Sequence, residues 1–153
     1  MKTQNKVLFP FIVATALSLM IVPVMARIEP YGFWSHGGVC RVWFGGNRYS
    51  GTADFEVDLN GEYFIWYMGD NIGAGRIERY LLRDGLLLVR STFESICDID
   101  PGHCCCGLPE PLIGRSIHFV ARFDIDSEEG SLVASGPRFF YRGVINEFYF
   151  FDE

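Results

Sequence analysis

Beyond residue 26 the chain has no lysine; Lys2 and Lys6 are its only two. That absence excludes a lysine Schiff base, a P-loop lysine and a Ser-Lys dyad from the main body of the protein. Histidine is scarce as well, with only His36, His103 and His118. There is no Gly-x-Ser-x-Gly elbow and no His-Glu-x-x-His pair, and Gly73-Ala74-Gly75 leads into a strand pattern instead of cradling a phosphate. No stretch of ten or more residues carries apolar side chains at helical spacing. Together these gaps point to a non-enzymatic, non-helical protein without a cofactor.

The chain does have a basic start, Lys2 and Lys6, an apolar run over 7–22 broken by Pro10, Thr15 and Ser18, and a small-residue site at Val24-Met25-Ala26. Pro23 stops the helix just before that site. This pattern predicts a cleaved signal peptide, 1–26, and a mature chain from Arg27 that is exported to a periplasm or the extracellular space. A membrane-spanning helix needs about 20 uninterrupted apolar residues, more than this run offers. No cysteine follows the cut, which argues against a bacterial lipid anchor. No Asn-x-Ser/Thr acceptor occurs anywhere, which fits a bacterial periplasmic or released protein at least as well as a eukaryotic one.

The remaining residues, 27–153, number 127, enough for one domain with one core. Their basic residues are eleven arginines against nineteen acids, 11 minus 19 giving −8. That balance speaks against nucleic acid or an anionic membrane as a partner, because the arginines form no dense stripe along the sequence. Arg76, Arg79 and Arg83 come closest, and Glu78 and Asp84 interrupt them, as on a solvated or salt-bridged strand face. Aromatic residues are plentiful after residue 26, with 12 Phe, 7 Tyr and 3 Trp. Such side chains fill a core or line an apolar cavity.

Alternation with a period of two runs down the chain. Cys40, Val42 and Phe44 alternate with Val39, Arg41 and Trp43 before a turn at Gly45-Gly46-Asn47. Phe55, Val57 and Leu59 lead to Asn60-Gly61, followed by Tyr63, Ile65 and Tyr67. Asn-Gly and the later Asp84-Gly85 are hairpin signals, since both residues of a type I′ turn need positive φ. Over 117–126, Ile117, Phe119, Ala121, Phe123 and Ile125 share a dry face, and His118, Arg122 and Asp124 a wet one. Two final aromatic stretches, 139–141 and 148–151, are split by Gly143. Short connections between about eight strands predict an all-β fold, a small antiparallel up-and-down barrel in which closure removes the exposed edges.

Gly32-Phe33-Trp34, just ahead of the first strand, resembles the Gly-x-Trp signature that opens lipocalin-like (calycin) small barrels. The Thr-Asp-Tyr motif typical of lipocalins is absent. The resemblance implies a tryptophan closing the barrel floor under an arginine from a late strand, here Arg138 or Arg142. It also implies an apolar small molecule held inside the barrel, with Trp34, Trp66, Tyr67, Phe119, Phe123 and Arg142 as candidate ligand-binding residues.

Residues 94–115 form a 22-residue connection that holds four of the five cysteines, Cys97, Cys104, Cys105 and Cys106. Long loops are usually functional or tied down. In an exported protein the expectation is two disulfides, one joining Cys97 to the triplet and one joining Cys40 to it, with one sulfur left over. The alternative is a soft-metal or redox site at His103, Cys104 and Cys106, although the spacing matches no standard zinc pattern. Asp98-x-Asp100-x-Gly102 and Asp124-x-Asp126-x-Glu128 lack the closing Glu of a calcium loop and read as turns.

The expected function is therefore a secreted binding protein. The first candidate ligand is an apolar small molecule inside the barrel. The alternative is a secreted protein partner, such as a hydrolase to be inhibited, met by the loop over 95–111, where disulfides and proline lower the entropy cost of binding.

Overall fold

The structure, a computed structural model, describes residues 29–44, 46–95 and 112–151. The signal peptide expected at 1–26 and most of the cysteine loop, with Cys97, His103, Cys104, Cys105 and Cys106, lie outside the described residues.

Nine strands follow one another: β1 Gly32–Phe44, β2 Asn47–Asp58, β3 Tyr63–Met68, β4 Asn71–Arg83, β5 Leu86–Glu94, β6 Ser116–Asp124, β7 Glu129–Gly136, β8 Phe139–Ile145 and β9 Glu147–Tyr149. From β1 to β8 each strand pairs antiparallel with the next, and β1 also pairs with β8, closing the circle. β9 prolongs β8 beyond Asn146, pairing with Gly32–Trp34 where β8 pairs with Val39–Val42. The result is the eight-stave up-and-down barrel that the alternation predicts. At eight strands the interior is just wide enough for side chains to fill.

The break at Asn146 has a partner in β1, whose register shifts between Ser35 and Gly38. Asn146 N–H donates to the Trp34 carbonyl at 2.9 Å, and its side-chain oxygen accepts from His36 N–H at 2.7 Å. The two irregularities thus satisfy each other's backbone groups and let the first and last staves bend together. At Asp84-Gly85 both residues take positive φ, 50° and 74°, as a type I′ turn requires. Asn60-Gly61 behaves differently. Its turn spans four residues, the positive φ falls on Glu62 (57°), and the Asp58 carboxylate accepts from Gly61 N–H at 2.7 Å. That cap removes the need for left-handed backbone at Asn60 or Gly61.

Alternation divides the staves into a dry inside and a wet outside. In β6, Ile117, Phe119 and Ala121 are buried while His118, Val120 and Arg122 are exposed. β3 is apolar at both parities, and the inside takes Phe64 and Trp66 while Tyr63, Ile65 and Tyr67 face out. The interior is packed with rings: Phe55 stacks on Phe64 at 5.2 Å, and Phe139 meets Phe93 and Trp66 edge-on at 5.2 and 5.6 Å. Tyr141 lies against Gly38 and Gly143, where any Cβ would collide with its ring or hydroxyl. Its hydroxyl donates to Ser35, whose own Oγ donates to the Val144 carbonyl at 2.7 Å, so this buried polar pair is satisfied. Leu112, on the return from the long loop, closes over the core at one end.

Candidate binding faces

The structure disperses the candidate ligand residues. Trp66 and Phe119 are fully buried members of the ring-packed core. Phe123 is half-buried near the other end of the barrel, 5.3 Å from the Phe148 ring. Trp34 and Tyr67 stand together on the outer wall, and Arg142 is exposed on the wall of β8. In the Gly-x-Trp segment it is Phe33 that turns inward. Trp34 stacks instead between His36 at 5.0 Å and Tyr67 at 5.7 Å. The cation–π contact formed in the described residues joins Arg41 to Phe140 at 5.9 Å, away from Trp34.

Cys40 is the one disulfide candidate that falls within the described residues. Its position in β1 has inward parity, its side chain is fully buried, and its thiol is free. Sγ accepts from the Trp66 indole N–H at 3.2 Å, and burial pushes the thiol up to about 11. Among the described residues Cys40 is a free, buried thiol; the other four cysteines lie outside them.

Several hollows around the described residues are open, one of about 660 Å³ beside Gly85, Arg122 and Phe123 among them. One, of about 570 Å³, lies at the end of the barrel beside Trp43, Arg138 and Phe140. Another, of about 350 Å³, lies on the outer wall between Arg79, Leu81, Leu88 and His118. Inside the barrel the rings of Phe55, Phe64, Phe93, Phe119 and Phe139 pack against one another, and the outer wall displays charged and aromatic side chains.

Strand register makes that wall readable as rows. One row runs Glu147, Trp34, Glu56, Ile65, Ala74, Glu94 across β9, β1, β2, β3, β4 and β5. Beside it run Tyr149, Gly32, Asp58, Tyr63, Arg76 and Thr92 on one side, and Asp54, Tyr67 and Ile72 on the other. His36 joins the last row, its Nδ1 3.6 Å from the Asp54 carboxylate. Ile65 and Ala74 are buried here although they point away from the core, because Tyr63, Tyr67 and Ile72 cover them. The three rows hold five carboxylates and a single arginine, Arg76, which is paired with Glu94 at 3.2 Å.

Burial first, and then the crowding of negative charge, shows in the titration of these groups. Glu56 is held above the usual carboxylate range by burial and then by Asp58. Tyr63 is pushed up to about 12 by burial, then by Glu56 and Asp58. Tyr149 is raised by burial, Glu56 and Glu147. Each shift has the sign expected where added negative charge is unwelcome.

A second wall has the reverse character. Leu81, Leu88, Val120 and Val133 align across β4 to β7 at exposures of 58, 40, 39 and 37%, and the row continues to Arg142. On one side it is bordered by Arg79, Arg90 and His118, and on the other by Arg83 and Arg122. Glu78 pairs with Arg90 at 2.9 Å and Asp84 with Arg83 at 3.3 Å. Among the described residues Arg122 and Arg142 have no ion-pair partner.

Neither the acidic aromatic wall nor the arginine-bordered aliphatic wall is visible in local sequence. Tyr63, Glu56 and Tyr149 come from three strands, and only the register brings them together. Comparisons with protein-family models, curated proteins and solved structures returned no match, so the residues themselves carry the functional reading.

Proposed function

We propose that this small β-barrel is an exported, non-enzymatic binding protein that recognises the basic surface of a secreted protein partner through the wall centred on Trp34 and Glu56. The observation that carries this reading is the face itself: five carboxylates, the aromatic side chains of Trp34, Tyr63, Tyr67 and Tyr149, and one arginine already paired. A guanidinium or ammonium group placed there meets ring faces and carboxylates together. It also offsets the carboxylate repulsion that, after burial, contributes to raising Glu56 and Tyr63. Aromatic anchors surrounded by polar groups are the usual makings of a protein-binding hot spot.

This reading takes the protein-partner alternative over a ligand held inside the barrel, because the rings that would line a cavity are packed against one another. The test is titration of a hexa-arginine peptide into the mature protein, followed by tryptophan fluorescence and calorimetry. Binding is expected, and Trp34→Ala, which removes no charge, should weaken it about tenfold or more. Equal binding by the wild type and a folded Trp34→Ala variant would overturn the assignment, since attraction by net charge alone predicts that result.

A further inference from the structure

We propose that the arginine-bordered aliphatic wall docks the acidic aromatic wall of a second copy of this chain, so that the protein associates head to tail. The inference rests on the preceding reading of the Trp34 wall as a receptor for basic surfaces, and identifies one such surface.

Three observations lead here. First, the two walls are complementary in charge: Arg79, Arg122 and Arg142 border one, and Asp54, Glu56 and Asp58 run down the strand at the middle of the other. Second, both offer apolar area at their centres. Val120 and Val133 are exposed on one, and Tyr67 and Ile72 cover a small apolar cluster on the other. Four adjacent aliphatic side chains in one row are more than scattered surface apolarity. Third, the walls are centred near β2–β3 and on β6, three to four staves apart in a ring of eight, and where both use β4 and β5 they take opposite ends of those strands, Ala74 and Glu94 against Leu81 and Leu88.

A contact between two different patches is heterologous and does not close on itself as a two-fold dimer does. It propagates from copy to copy, as an open chain or, where the rotation closes, as a ring. The acidic rows span up to six strands and the aliphatic row five, which at roughly 4.8 Å spacing gives footprints about 20–25 Å wide. That is small for a permanent interface, so association should be reversible, concentration-dependent and weakened by salt.

The experiment is sedimentation velocity on the mature protein over a wide concentration range at low and high salt, with two variants. Trp34→Ala damages the acidic wall, and the double variant Arg122→Glu, Arg142→Glu damages the basic wall. The wild type should form a ladder of species that salt dissolves, and each variant alone should be about tenfold or more weaker in association. An equimolar mixture of the two variants should recover association and stop at the dimer, because only one intact interface remains between them. A wild type that stays monomeric throughout overturns the proposal, as does a mixture that stays monomeric or variants that associate as well as the wild type. If the monomeric wild type still binds hexa-arginine through Trp34, the basic-partner reading survives while self-association fails. If the monomeric wild type, but not the double arginine variant, binds vesicles of phosphatidylglycerol, the aliphatic wall belongs to an anionic membrane and the second copy is excluded.

Discussion

Replacing Cys40 with alanine removes two things at once from the barrel core. The fully buried sulfur leaves a small void, and the Trp66 indole N–H loses the acceptor that lies 3.2 Å away. A buried donor left without a partner costs about 1–3 kcal/mol, and loss of one packed heavy atom adds about 1 kcal/mol. Cys40→Ala should therefore be less stable by about 2–4 kcal/mol in urea unfolding followed by tryptophan fluorescence. Cys40→Ser, which restores an acceptor, should recover part of that loss. The thiol also has a pH signature. Burial raises it from an ordinary 9.0 to about 11, so the fold favours the neutral thiol. Its contribution is fully present below pH 9.0 and is lost as pH rises from there through about 11. Two units correspond to at most about 3 kcal/mol. The advantage of the wild type over Cys40→Ala should accordingly shrink across that window, a difference that cancels the tyrosines titrating in both proteins. Mass mapping after alkylation should find Cys40 unlabelled in the native state and labelled once unfolded. The reasoning is refuted by a Cys40→Ala variant within about 0.5 kcal/mol of the wild type, or by Cys40 recovered in a disulfide.

Gly38→Ala should cost about 2 kcal/mol or more in the same assay, because the new methyl overlaps the buried Tyr141 ring, whereas alanine at Gly37, with open space around its Cβ, should pay only for its positive φ. Leu132→Ala should cost about 2–5 kcal/mol and its exposed neighbour Val133→Ala less than about 1, a contrast that verifies the inward register of β7. Glu56→Gln should raise the melting temperature near neutral pH while weakening hexa-arginine binding. Its raised pKa means that the fold disfavours the ionised form, a cost incurred above the ordinary carboxylate range and relieved on acidification. A fall in melting temperature for Glu56→Gln would show the carboxylate to be a structural partner and not a strained one.

Much of the fold is legible in the chain because a β-barrel of this size is written in local patterns. The alternation over 117–124 separates His118 and Arg122 from Ile117 and Phe119 without any knowledge of the neighbours, and Asp84-Gly85 names its own hairpin. The closed eight-stave meander follows from such segments and from short turns between them. Local pattern fails where both parities are apolar. In 63–67 either Tyr63, Ile65 and Tyr67 or Phe64 and Trp66 can face the core, and only the pairing of β3 with β2 and β4 selects the second set. The Gly-x-Trp segment is ambiguous in the same way, with Phe33 taking the inner place.

The sites lie further from the sequence than the fold does. Read linearly, the arginines are scattered and the net charge is negative, which suggests a uniformly acidic surface. Side chains on one wall of a barrel, however, come from five or six strands and from positions tens of residues apart, so the partition of charge is a property of register and shear. Closing the ring sends Trp34, Glu56 and Tyr63 to one wall and Leu88, Val120 and Arg142 to the other. The chain by itself determined which residues alternate and where it turns, since those depend on neighbours along the backbone. The tertiary structure alone decided that Cys40 is sealed inside, that the interior rings pack against one another, and that the surface has two unlike faces, because each depends on which strand lies beside which.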